Sequence, residues 1–131
     1  GNPFPDREIR SLNPRPMSVP IPALTEVARI CIQKPGVWAL TIEKDGSAML
    51  IQGRNYREVV QAPGKTVDVF DLYTKLVPSL RDETEAARGA YTIVMEKDDG
   101  RGEILLSFNS MLLERVRSRV AVTGKSEKNR R

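Results

Sequence analysis

The stretch VWALTIEKDGSAMLIQG, residues 37–53, decides how this chain is read. Two apolar runs flank an Asp-Gly pair, which is the strongest short-range hairpin signal because a type I′ turn needs positive φ at both central residues. With Asp45 and Gly46 in those places, Lys44 faces Ser47. Counting outward pairs Ile42 with Met49, Leu40 with Ile51 and Trp38 with Gly53. The large apolar residues then share one face. The other face carries Ala39, Thr41, Glu43, Ala48 and Gln52, with Leu50 the one large apolar residue among them. A slip of one residue exchanges the faces, so the register is part of the prediction.

The stretch YTIVMEKDDGRGEILLSF, residues 91–108, repeats the design. A turn at Asp99 and Gly100 pairs Met95 with Ile104, Ile93 with Leu106 and Tyr91 with Phe108. It also sets Glu96 opposite Glu103, and like charges directly across a strand pair are unfavourable. Residues 98–102 therefore also admit a longer loop. Val94 and Leu105 meet on the outer face, where Leu50 and Thr41 join them.

The remaining segments read mostly as helices. Pro22 can open one, with Leu24, Val27, Ala28 and Cys31 at helical spacing and a stop at Lys34, Pro35 and Gly36. The β-prone run Ile30, Cys31, Ile32 offers a strand as the competing reading. Residues 56–62 suit a short third strand ended by Pro63 and Gly64. Thr66 then serves as an N-cap with Asp68 in the first turn, and Val69, Leu72, Tyr73, Leu76, Val77 and Leu80 form a wide apolar stripe. Pro78 bends or splits that helix, and the polar run 81–88 continues it to Gly89. Ser110 caps a last helix with Leu112, Val116 and Val120 inward and Arg115, Arg117 and Arg119 outward.

These elements predict an α+β fold in the order α-β-β-(β)-α-β-β-α. Its single antiparallel sheet has four or five strands built from the two hairpins, and its helices pack on one face. Six of the nine prolines fall within residues 1–22, so residues 1–21 read as an extended arm or linker. Residues 22–122 form the domain. Residues 123–131 read as a basic, disordered tail, since nothing apolar follows Gly124.

Composition excludes more chemistry than it suggests. The chain of 131 residues has no histidine and one cysteine, Cys31. That removes Ser-His-Asp and Cys-His nucleophile activation, histidine-containing metal sites and any internal disulfide. Cys31 is read as a small buried apolar side chain. Residues 100–102 (GRG) are too short for a phosphate loop, and Glu96, Asp98 and Asp99 lack the other ligands of a calcium loop. Asp82, Glu83 and Glu85 read as a solvated helical face. No catalytic constellation is present, and the chain is read as a non-enzyme without cofactor or metal.

The favoured reading is a protein-binding module, forming a homodimer through the outer face of the sheet at Thr41, Leu50, Val94 and Leu105; free sheet edges add a second route, since edges invite strand addition. The alternative is nucleic-acid binding. The net charge of +4 is concentrated after residue 109, where Arg115, Arg117, Arg119, Lys125, Lys128, Arg130 and Arg131 stand against two glutamates. Only seven aromatic residues are available for base stacking, which weighs against it. The chain opens on Gly-Asn without an initiator Met, so a domain released from a membrane anchor or export signal is a third expectation. A cytoplasmic setting fits the composition, and an exported one follows if such a segment was removed. No residue motif ties the chain to a family.

Overall fold

The computed structural model describes residues 19–82 and 88–128. Its centre is one antiparallel sheet of eight strands: β1 (Val27–Lys34), β2 (Trp38–Glu43), β3 (Ala48–Gln52), β4 (Glu58–Ala62), β5 (Leu80–Asp82), β6 (Tyr91–Lys97), β7 (Ile104–Ser107) and β8 (Lys125–Lys128). Their spatial order is β5-β7-β6-β1-β2-β3-β4-β8. Two short helices complete it, α1 (Val69–Leu76) and α2 (Ser110–Thr123). The protein is therefore mostly β. The expected α+β arrangement, a sheet of four or five strands with helices packed on one face, is corrected at three places.

The first is the segment after Pro22. Its helical spacing is coincidental: only a 3₁₀ turn forms there (Leu24–Glu26), and β1 follows as the strand that joins the two hairpins. Ile30 and Ile32 turn to the interior, while Arg29, Cys31 and Gln33 alternate to the other side. A strand paired on both edges suits this β-branched run better than a helix does. The second is the run after α1. Pro78 sits in a 3₁₀ turn (Val77–Ser79) that ends the helix, and Leu80–Asp82 pairs with β7 instead of continuing it. The rest of the expected helical run, residues 83–87, lies outside the described residues. The third is the basic end, where Lys125–Lys128 pairs with β4. Backbone pairing, with the Ser126 hydroxyl donating to the Glu58 carboxylate, stands in for apolar burial there. Gly124 lets α2 end against β4: a Cβ at this position would lie 2.6 Å from Val60 Cγ1.

Both hairpins are shifted by one residue from the expected register, for the same reason. Each turn has three residues. Glu43 donates its amide to Ser47 O at 2.9 Å and Lys97 donates to Arg101 O at 2.9 Å. Only the glycines, Gly46 at φ +88° and Gly100 at φ +82°, take the left-handed conformation. Asp45 and Asp99 do not; each instead accepts the amide of the residue two further on, at 2.8 and 2.9 Å. This is a type I turn closed by a glycine bulge, the usual three-residue loop. Leu40 therefore faces Leu50 and Ile93 faces Leu105. The Glu96–Glu103 clash never arises, because Glu96 instead accepts from Arg29.

Register arranges the core face in rows that cross the sheet. One row runs Leu105, Ile93, Ile32, Leu40, Leu50, Val60; a second runs Met95, Ile30, Ile42, Ala48, Ala62. All belong to one buried cluster, to which α1 adds Leu72 and Leu76 and α2 adds Leu112, Leu113 and Val120. Burying a side chain of this size stabilises by about 1.5–3 kcal/mol, which makes these rows the main support of the fold. The caps lie one or two residues from their expected places. Asp68 caps α1 through the Asp71 amide and Asn109 caps α2 through the Leu112 amide, replacing Thr66 and Ser110. At the start of the described chain, Val19 and Ile21 pack against the cluster, and Tyr73 Oη donates to Pro22 O at 2.7 Å.

Candidate functional site

The opposite face of the sheet follows from the same register. One row crosses five strands as Ile104, Val94, Cys31, Thr41, Met49, and the next runs Leu106, Thr92, Gln33, Ala39, Ile51, Val59. Thr41 and Val94 lie in the first row, one on each side of Cys31. Leu50 and Leu105 do not belong to this face: they are 0 % and 1 % exposed in the core. The one-residue shift exchanged them for Met49, Ile51, Ile104 and Leu106. Sequence could have signalled this, because Asp-Gly fits positions two and three of a three-residue loop as well as the centre of a two-residue one.

An ionic row closes one end of this open face. Arg29 on β1 reaches both ways, its Nε 3.2 Å from Glu43 Oε2 on β2 and its Nη1 3.0 Å from Glu96 Oε1 on β6. The carboxylates of Glu96 and Glu43 raise the guanidinium's pKa further. The two carboxylates share the one guanidinium, which leaves the row with a net charge of −1. Burial, helped by the nearby Glu96 charge, pushes the Cys31 thiol up to about 11, so it is a protonated, weakly reactive side chain.

The densest polar constellation sits on the core face beneath α2. A third row there runs Tyr91, Lys34, Trp38, Gln52, Glu58, and Glu114 of α2 descends onto it. Glu114 Oε2 accepts from Tyr91 Oη at 2.7 Å and Trp38 Nε1 at 3.3 Å, with Lys34 Nζ at 3.6 Å. Its Oε1 accepts from Arg117 Nε at 2.9 Å, and Arg117 continues to Gln52. Partial burial alone would raise the Glu114 pKa; the bonds from Tyr91, Arg117 and Trp38 outweigh it and hold the carboxyl below its ordinary value. Burial and the same carboxylate push the Tyr91 phenol up to about 12. An ionised carboxylate with its acceptor positions filled, beside a phenol that keeps its proton, anchors a helix to a sheet and provides no proton-transfer pair at neutral pH.

The basic residues of the alternative reading are dispersed. Arg115 is exposed on α2, whereas Arg117 is bound to Glu114 and Arg119 Nε donates to Thr66 O at 2.7 Å. Lys125 and Lys128 lie in β8, at register positions opposite Gln61 and Glu58. Arg130 and Arg131 lie outside the described residues. The edges are also poorly suited to strand addition, since β5 has three residues and β8 reads Lys-Ser-Glu-Lys. Among the described residues no group of three or more His, Cys, Asp or Glu could hold a metal ion, and no helix is long and apolar enough to cross a membrane. Comparison with protein-family models, with curated proteins and with solved structures gives no match for this chain.

Proposed function

We propose that this chain is a protein-binding module whose docking surface is the open face of the sheet, and that the occupant is a second copy of the chain. The observation that carries this is the pair of rows, one over five strands and ending against Gln61 on β4, the other over six, whose apolar members Ile104, Val94, Met49, Ile51 and Val59 stand outside the buried cluster; Leu106, at 8 % exposed, lies beneath the edge of the patch. Apolar patches of this extent on a folded surface mark interaction sites.

A second copy fits the symmetry of the face. The midline of the sheet falls between β1 and β2, and apolar side chains flank it on both sides: Val94, Ile104 and Leu106 on one, Met49, Ile51 and Val59 on the other. A two-fold axis along that midline sets each group against the other group of the partner copy, which is the self-complementarity an isologous dimer requires. At the ionic end Arg29 offsets one of the two carboxylate charges, so each copy brings a residual charge of −1 that the apolar contact has to outweigh.

Light scattering on the eluting protein is expected to give twice the chain mass at tens of micromolar. Met49→Lys and Ile104→Lys are expected to return it to a monomer with an unchanged thermal melt. A monomeric parent chain, or a dimer indifferent to both lysines, overturns the proposal.

A further inference from the structure

A second surface lies on the helical side of the molecule. Lys65, Leu72, Leu112, Arg115, Val116 and Arg119 line a cleft of about 260 Å³ between α1 and α2. Shallower depressions extend it in both directions. One shares Lys65 with the cleft and ends at Phe70; the other shares Leu112 and Arg115 and ends at Met111. The three form one groove. Phe70 and Met111, 69 % and 73 % exposed, stand at its two ends. Neither is needed by the core, and large apolar side chains held this far into water are characteristic of contact surfaces.

Charge in the groove is unbalanced. Five cations along it, Lys44, Lys65, Lys75, Arg115 and Arg119, stand against three carboxylates, Asp45, Asp68 and Asp71, a net charge of +2; Asp71 is paired with Lys75 at 3.1 Å, while Asp68 caps α1 and Asp45 accepts from Ser47. Of the cations, Lys44 lies 3.8 Å from Asp98. Among the described residues Lys65, Arg115 and Arg119 meet no carboxylate. An apolar floor under a net charge of +2, with Lys65, Arg115 and Arg119 outside any ion pair, is complementary to a segment that alternates carboxylates with apolar side chains.

We infer that the groove between α1 and α2 binds an acidic, amphipathic segment of a partner protein. The segment's apolar side chains lie on Leu72, Leu112 and Val116, its carboxylates meet Lys65, Arg115 and Arg119, and Phe70 and Met111 close over its two ends. Single-stranded nucleic acid would satisfy the cations but leave the apolar floor unused, and only two exposed aromatic or Met side chains flank it.

A phage-displayed library of random dodecapeptides, panned on the whole chain, tests this. The selected sequences are expected to combine Asp or Glu with Leu, Phe or Met. Fluorescence anisotropy of the best labelled peptide should show binding that weakens with salt and falls at least tenfold in the double variant Lys65→Glu, Arg115→Glu. Both positions are exposed, so the variant's circular dichroism and melting curve should match the parent. Met49→Lys on the sheet face should bind the peptide as the parent does, which separates this site from the dimer surface. The inference is overturned if the selected peptides are basic or neutral, if the double variant binds them equally, if Met49→Lys abolishes binding, or if a labelled oligo-dT of equal length binds more tightly.

Discussion

Leu50 and Leu105 are 0 % and 1 % exposed on the core face, while their chain neighbours Met49 and Ile104 turn to the open face at 38 % and 46 %. The composition of β3 and β7 does not separate the two sets, since Ala-Met-Leu-Ile and Ile-Leu-Leu are apolar on both sides. The turns separate them. Each places one glycine at positive φ and spends an aspartate side chain on the next free amide, so both hairpins shift by the same single step. Because side chains alternate with a period of two, that step reassigns every residue of the returning strand. Which residues of the returning strands face the core and which face the other side of the sheet is therefore set at Gly46 and Gly100.

The largest effect should come from testing the faces directly. Leu50→Ala is expected to cost about 2–5 kcal/mol in urea denaturation, with an unchanged dependence on denaturant. Met49→Ala, one residue away, should cost under about 1 kcal/mol. Equal costs would mean that the faces are not divided as described. The second test acts on the turns. Gly100→Ala meets nothing within 4 Å and should cost about 1 kcal/mol for its positive φ alone. At Gly46 a Cβ would lie 2.5 Å from Val67 O and 2.9 Å from Lys65 N, because the 63–67 loop is bonded onto this turn. Gly46→Ala should cost about 2–4 kcal/mol. If the two glycines respond alike, that loop does not seat on the first turn.

Much of this division was legible, and the failures have physical causes. The two hairpins, the strand at 56–62, the body of α1 and the inward stripe of α2 could all be read from alternation, helical spacing and punctuation, whereas the helix expected to run past Pro78 to Gly89 gives way to β5. The position of Trp38, Leu40, Ile42, Ile93 and Tyr91 on the core face was legible too, because β2 and β6 alternate cleanly. The returning strands do not alternate, and Asp-Gly serves two turn types, so Leu50 and Leu105 were assigned to the wrong side. β1 was legible only as the competing reading, because an accidental helical period favoured the helix. β8 could not be read at all, because the signal used to find strands is burial and β8 buries little; its pairing with β4 depends on where α2 delivers the chain. Glu114 was likewise invisible, since a single glutamate on a basic helix gives no hint that Tyr91, Trp38 and Arg117 converge on it.

The third test compares the polar ends of the two faces. On the core face Glu114 is held ionised by Tyr91, Arg117, Trp38 and Lys34, and its folded pKa lies below the ordinary value of 4.5. A depressed carboxyl pKa contributes stability that is full above the unfolded value and lost as pH falls through the folded one. Glu114→Gln should therefore lower stability by about 1 kcal/mol at pH 7, the scale of a charge-assisted hydrogen bond at a half-buried site. The gap to the parent should close as the pH is brought below 4.5. A gap that stays constant down to pH 3 would show that Glu114 acts through shape and not through its charge.

The smallest effect is expected from Arg29 at the ionic end of the open face. Its two ion pairs are partly exposed, and pairs of that kind contribute little and are screened by salt. Arg29→Met should destabilise less than Gly100→Ala at low salt, and its own effect should vanish in 1 M NaCl, where the Debye length is about 3 Å. Glu114→Gln should keep more of its effect there, because Tyr91 and Trp38, each 3 % exposed, hold the carboxylate by hydrogen bonds that salt does not screen as it does an exposed ion pair. The same Arg29 variant also sharpens the division of roles between the faces. Removing the guanidinium leaves Glu43 and Glu96 unmatched, and two copies stacked on this face would then bring four uncompensated carboxylates toward one interface. Self-association measured by sedimentation should weaken at low salt and recover as salt is added, while folding stability barely moves. If stability falls and association does not, Arg29 belongs to the support of the sheet alone, and the ionic row is no part of a docking surface.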